Sequence, residues 1–349
     1  MKTTKNIIGK DLLGFALLLL FLLLFIISDQ LNDNVQLNSI SSNWINVNTI
    51  FLSIVLEAIP FILLGVFVSS LIQVFVSEDR LQRFLPKNAI VALFPAAVLG
   101  AVLPLCECAI VPVVRRLIKK GMPLHVGVVF LVAAPILNPI VFASTYYAFR
   151  GPFYDTNTIL FSRMGLAFVL SIIIGGILYA IFKNNSKQLR TDITQHQLGH
   201  VHTHDHHHSE KPSLMKRLKE TLYHAVDEFF MMGKYLILGA FIASLFQTFL
   251  DRSLLESIGQ NDYSSTIVMM AFAYLLSLCS EADAFVASTF AGQFTNMSIV
   301  GFLVYGPMLD LKNTFMLFAF FKARFVITFM ITVTFVVFTA IIVLFGFIL

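Results

Sequence analysis

The feature that most constrains this chain is a series of nine apolar runs, at 12–27, 50–76, 89–105, 124–149, 159–182, 235–250, 267–278, 299–321 and 325–349. At a rise of 1.5 Å per residue, a bilayer core of about 30 Å takes roughly 20 residues of helix, so most of these runs can cross it. With 57% hydrophobic and 13% charged residues, 36 Phe and one Trp, a soluble globular protein is excluded as an explanation. The expected fold is an all-α polytopic membrane protein. The shorter runs are the ones that carry polar interruptions.

Lys2, Lys5 and Lys10 precede the first run, but no small-residue cleavage site follows it, so a retained N-terminal transmembrane helix is expected rather than a signal peptide. Segment 29–48 has no Lys or Arg, whereas 77–88 has Arg80, Arg83 and Lys87. The positive-inside bias then places the first connection outside, the second in the cytoplasm and the N-terminus in the cytoplasm. Arg115, Arg116, Lys119 and Lys120 are also assigned inside. That assignment requires 89–114 to leave the cytoplasm and return to it, which makes `CEC` at 106–108 the turn of a broken hairpin. By the same rule 267–295 forms a second broken hairpin entered from the outside.

The chain repeats itself. At a constant offset of 174, `LLGVFVSSLIQVFV` (63–76) and `ILGAFIASLFQTFL` (237–250) share seven of fourteen positions, including Gly65 with Gly239 and Gln73 with Gln247. `CEC` is answered by `CSEAD` (279–283), and `APILNP` (134–139) by `GPMLDL` (306–311). The charge bias gives the two units opposite starting sides. Two inverted-topology repeats with broken-helix hairpins, plus one N-terminal transmembrane helix, are the pattern of a secondary transporter. The expected domains are 1–48, the first helix and external loop; 49–182, the first repeat; 183–228, a cytoplasmic His-rich linker; and 229–349, the second repeat. In lipid, non-helical backbone survives only when buried in protein or lining a cavity. Breaks at 106–108, 135–139, 279–283 and 307–312 therefore suggest one shared cavity.

Glu57, Glu107, Glu281, Asp283, Asp310 and Lys312 all lie within or beside apolar runs. A charge at the bilayer centre costs about 2.5 to 3.5 kcal/mol on insertion scales, which makes them candidates for a substrate or ion site. The plainer readings are that Asp310 and Lys312 neutralise each other and that Glu57 is interfacial at a helix start. Cys106, Cys108 and Cys279 read either as small apolar residues or as soft donors for zinc, copper(I) or a trivalent metalloid, with Glu107 as a harder ligand or proton carrier. Asn138 and Asp310 follow matching prolines, either as oxygen donors at an unwound turn or as caps of half-helices. Separately, His196, His200, His202, His204, His206, His207 and His208 form a tract in the linker. Such a tract reads as a metal-binding flexible segment or as a neutral linker. Apart from a metal ion there, no cofactor is expected.

The segments `EAIPFILLG` (57–65), `LPLCECAIVPVVRRLIKKGMP` (103–123), `APILNPIV` (134–141) and `CSEADAFVA` (279–287) resemble the ArsP/YraQ-type predicted permeases, also described as UPF0718-like, from about residue 50 to the C-terminus. The resemblance implies a multi-pass permease of the inner or cytoplasmic membrane. It further implies export of trivalent organoarsenicals in some members, metal homeostasis in others, and a partner membrane subunit in some Gram-positive members. It puts Glu57, Cys106, Glu107, Cys108, Asn138, Glu281 and Asp283 at stake; the His tract does not fit an arsenical-only cargo.

The expected function is thus a permease moving a small solute by alternating access, a soft metal ion or a trivalent metalloid. No `GxxxxGK[ST]` phosphate loop occurs in the chain, so an ion gradient or a partner supplies the driving force. An intramembrane thiol oxidoreductase using Cys106 and Cys108, and a non-transporting metal-sensing subunit built on the His tract, are the alternatives. Neither an enzyme nor a nucleic-acid partner is favoured; the bilayer, a partner subunit or a second copy of the chain are the associations this reading leaves open.

Overall fold

The structure is a computed structural model that describes residues 42–75, 88–102, 105–150, 155–183, 188–189, 214–249, 262–290 and 293–348. The expected first helix at 12–27 and the histidine tract at 196–208 lie outside these residues. The packed helical core lies within Val47–Leu349.

The described elements are helices α1 (Ser42–Phe75), α2 (Leu93–Val102), α3 (Glu107–Lys119), α4 (Leu124–Leu137), α5 (Pro139–Ala148) and α6 (Thr156–Phe182), followed by α7 (Leu214–Phe249), α8 (Asp262–Leu276), α9 (Ser280–Ser288), α10 (Asn296–Met308), α11 (Leu311–Phe320) and α12 (Ala323–Val343). A π-helical turn, Leu344–Ile348, extends α12. An isolated antiparallel bridge joins Leu189 to Phe321, with Lys322 N donating to Gln188 O at 2.9 Å. Helix α1 starts ahead of the expected boundary at 49, and α7 starts inside the segment read as linker.

Among the described residues, five stretches are long and apolar enough to cross a membrane: Asn43–Leu71, Leu124–Ala148, Thr156–Phe182, Met232–Phe249 and Ala323–Gly346. Their outer faces are apolar as well as their inner ones. On α1, Ile54, Ala58, Ile62 and Val66 are buried at helical spacing, while Leu56, Leu63, Leu64 and Phe67 stand exposed; on α12, Phe329, Val333 and Val337 are buried and Ile331 and Phe335 exposed. A helix apolar all round suits lipid rather than water. Helices α2 and α8 are shorter apolar segments, as arms of broken hairpins should be.

Two helices form the interior. Every residue of α4 from Leu124 to Ile136 and of α10 from Met297 to Met308 is buried, and the two pack against each other. Around them the contacts run in parallel: α2 packs on α4 as α8 does on α10, and α4 packs on α6 as α10 does on α12. Crosswise, α5 lies against α9 and α11 against α3. The breaks that end α4 and α10 are therefore wrapped by protein, where backbone groups missing from a helical ladder can find partners.

The breaks fall slightly off the prolines. Pro135 and Pro307 lie inside α4 and α10, and the chain leaves the helix at Asn138 and at Leu309–Asp310. A proline removes the hydrogen bond to the carbonyl four residues earlier but can itself remain helical. The residue that stops the first helix is the one that can cap the next: Asn138 Oδ1 accepts from Val141 N at 2.9 Å, and Asn138 Nδ2 lies 3.4 Å from both Ala134 O and Pro135 O. In the hairpins, Cys106 and Cys279 are extended residues immediately before α3 and α9, so Glu107 opens α3 rather than lying in the break.

Candidate functional site

Each half-helix that starts inside the protein exposes N–H groups with no partner of their own, and an acid nearby complements the helix dipole. Glu107 is the first residue of α3, Glu281 and Asp283 lie in the first turn of α9, and Asp310 caps α11 by accepting from Asn313 N at 2.6 Å. This explains locally why carboxylates sit at three breaks, in segments that are otherwise apolar.

Lys312 ties these breaks together. Its Nζ lies 3.2 Å from Glu107 Oε1 and 3.5 Å from Asp310 Oδ2, and it donates to Ser277 O at 2.8 Å. Lys312, Glu107 and Asp310 are all buried. The Lys312–Asp310 neutralisation read from sequence is thus only part of the arrangement, because the closer carboxylate is that of Glu107, 205 positions away. The other Glu107 oxygen, Oε2, accepts from Ser280 Oγ at 3.1 Å. Ser277 ends α8 in the left-handed region at φ 50°, and its Oγ accepts from Leu311 N at 3.1 Å. A serine in that conformation carries strain that a glycine would not, and here it joins the hairpin break to the start of α11.

A cleft opens beside this group, lined by Glu57, Cys106, Glu107, Cys108, Ser277, Cys279 and Lys312 with Ile54, Ala58 and Phe61. Glu57 lies in the middle of α1 rather than at a helix start, and the Cys279 thiol donates to its Oε1 at 2.6 Å. Cys106 and Cys108 are free and buried, and Cys279 is free and half-buried. Among the described residues no three His, Cys, Asp or Glu side chains form a group that could hold a metal ion; the thiols share a cleft without forming a closed ligand set. A second cleft is lined by Glu107, Ile110, Val111, Leu131, Pro307, Met308, Asn313 and Leu317.

Of the residues singled out from sequence, Glu57, Cys106, Glu107, Cys108 and Cys279 are brought into one cleft, with Asp310 beside it through Lys312. Asn138 stands apart, with hydrogen bonds only to its own segment, as a cap. Glu281 and Asp283 do not line that cleft but lie within electrostatic reach of Glu107 as well as of Arg163, and Glu281 Oε2 and Asp283 Oδ2 are buried without a hydrogen bond. The six histidines from His200 to His208 lie outside the described residues.

Sequence reading passed over Arg163. It is fully buried in α6, with Nη1 donating to Thr145 Oγ1 at 2.6 Å and Nη2 to Ser280 O at 3.0 Å. The signal was present, since this is a lone arginine inside the apolar run 159–182. Ser277 and Ser280 were also missed, and no local pattern marks either of them.

No solved structure matches the chain. It is 49% identical over 285 residues to UPF0718 protein YcgR of Bacillus subtilis (strain 168), covering 82% of this chain and 92% of that protein. It is 38% identical over 293 residues, 84% of this chain and 92% of the relative, to a Streptococcus mutans serotype c protein named "Putative two-component membrane permease complex subunit". The family model described as "Predicted permease", ArsP_1, matches residues 43–347. With a match over nearly the whole described chain, this multi-pass membrane protein belongs to the ArsP_1 predicted permease family.

Proposed function

We propose that the chain is a secondary-transporter-like permease of the cytoplasmic membrane, with its N-terminus in the cytoplasm, that moves a small soft cargo by alternating access. The cargo class is a soft metal ion or a trivalent metalloid such as an organoarsenical. The observation that carries this reading is the meeting of three helix breaks on one buried ion group, Glu107 with Lys312 and Asp310, beside a cleft that presents Cys106, Cys108 and Cys279. Discontinuous helices that meet in the protein interior are where transporters bind and couple, and thiols are the donors that soft ions select.

An inverted repeat is supported by the paired packing of α2 on α4 and α8 on α10, and by the crosswise pairs α5 with α9 and α11 with α3. The cleft holds its polar groups in internal contacts, Cys279 to Glu57 and Lys312 to Glu107. Cargo entry would exchange those contacts for its own, so binding and rearrangement are linked. The name of the Streptococcus mutans relative supports a partner membrane subunit here too. The histidine tract is assigned a metal-binding role in the linker, outside the transport path.

The test is flux in everted vesicles against zinc, copper(I), cobalt, arsenite and methylarsenite, for the wild type and for Cys106→Ser/Cys108→Ser. Saturable flux of one soft species that the double variant loses is the expected result. Flux indifferent to the double substitution, or no flux of any species in the panel, would sink the assignment of cargo. Deleting the histidine tract should leave flux in place, whereas a sensing subunit would lose its function.

A further inference from the structure

The surroundings of the Lys312 ammonium are those of a cation-binding site. Nζ lies 2.8 Å from Ser277 O, 3.5 Å from Leu278 O, 3.2 Å from Glu107 Oε1 and 3.5 Å from Asp310 Oδ2. The two carbonyls belong to the residues just past the C-terminal end of α8, where backbone oxygens are left without helical partners and carry the negative end of the dipole. Asp310 Oδ2 is buried and takes no hydrogen bond, and Lys312 Nζ is the cation beside it. Unwound carbonyls at the end of a half-helix, joined by carboxylates, are how discontinuous-helix transporters hold a monovalent cation.

The lysine is also fixed at its root. A Cβ added at Gly239 would lie 2.8 Å from Lys312 Cα, so α7 presses directly on the backbone that carries it. Only 3% of Lys312 is exposed, so protein groups surround the charge on nearly every side. A lysine serving only to neutralise Glu107 would need one carboxylate. This one has two, with two carbonyls in addition, drawn from three separate breaks.

We propose that these four oxygens form a monovalent-cation site which the chain fills with its own lysine. Lys312 is a tethered cation, and the site takes potassium or sodium once that ammonium is removed. The wild-type permease therefore needs no inorganic cation at this position, which narrows where its driving ion can act. The site uses the same helix breaks as the proposed permease site and rests on that assembly of residues. Its readout is stability rather than flux, so absent flux of every species in the panel would sink the cargo assignment and leave this one standing.

The experiment uses the full chain in nanodiscs, as wild type, Lys312→Ala, Lys312→Met and Lys312→Ala/Glu107→Gln. Unfolding temperature is read in potassium, sodium and N-methyl-D-glucamine chlorides at equal ionic strength. Lys312→Ala should gain about 5 °C or more, saturably, in potassium or sodium relative to the bulky organic cation. The wild type, the methionine variant, which fills the space without a charge, and the double variant, which lacks one carboxylate, should not respond. Identical unfolding of Lys312→Ala in all three chlorides would overturn the proposal. So would failure to recover that variant folded in any of them, because an ion able to occupy the site would have restored it.

Discussion

A methyl group placed on Gly65 would lie 2.5 Å from Ala109 Cα and 2.7 Å from Ala109 O, which leaves backbone rather than a flexible side chain to give way. Helix α1 thus runs directly over the first turn of α3, the turn that begins with Glu107. Gly65→Ala should lower stability by about 1 to 3 kcal/mol, as overpacking does, and displace Glu107 enough to weaken any flux. Gly165→Ala, where nothing lies within 4 Å, should be neutral or stabilising by up to about 1 kcal/mol, because alanine favours the helix. Thermal unfolding of both variants in one detergent checks this, and equal midpoints would show the close approach to be unimportant. At this scale the sequence was informative wherever a charge interrupted an apolar run. Glu57, Glu107 and Lys312 could be picked out for that reason, and Arg163 met the same criterion but was overlooked. Their partners could not be read, because Cys279 finds Glu57 across 222 positions and Lys312 finds Glu107 across 205, and such pairings depend on how helices pack.

The broken helices behave according to their capping chemistry more than their prolines. `APILNP` and `GPMLDL` marked the breaks correctly, since proline, asparagine and aspartate act locally, but the helices run through Pro135 and Pro307 and stop where a side chain can cap the next segment. Asn138 and Asp310 both serve as caps; Asn138 also reaches back to Ala134 O and Pro135 O, whereas Asp310 adds an ionic contact to Lys312. Ser277 had no sequence mark at all, because a left-handed residue that is not glycine shows itself only in the backbone. Its two roles can be separated. Ser277→Gly loses the acceptor for Leu311 N but relieves the φ of 50°, whereas Ser277→Ala loses the acceptor and keeps the strain. Chemical or thermal unfolding should find the alanine variant less stable than the glycine variant by about 1 kcal/mol. Equal stability of the two variants would mean that the hydroxyl, which both lack, and not the backbone, is all that Ser277 contributes.

Across the whole molecule the two halves are joined by buried polar contacts as well as by packing. Lys312 reaches Glu107, Arg163 reaches Ser280, Cys279 reaches Glu57, and α5 and α3 lie against α9 and α11. Removing one partner of a buried ion pair costs about 3 to 5 kcal/mol because the other charge is left uncompensated. Fragments 1–209 and 210–349, co-expressed, should therefore assemble in the membrane and copurify, and Glu107→Ala should weaken that assembly sharply. Fragments that fail to copurify with Glu107 intact would show that chain continuity, not these contacts, holds the halves together. The sequence suggests two halves through the offset of 174 between the segments 63–76 and 237–250. The close approaches of the shared glycines were not, since Gly65 meets Ala109 on α3 while Gly239 meets Lys312 on α11. Glu107 lines both clefts, so a substitution there alters the two together. In electrical terms the Glu107 carboxylate and the Lys312 ammonium beside it form a small dipole, whose field at a distance is far weaker than that of either charge alone.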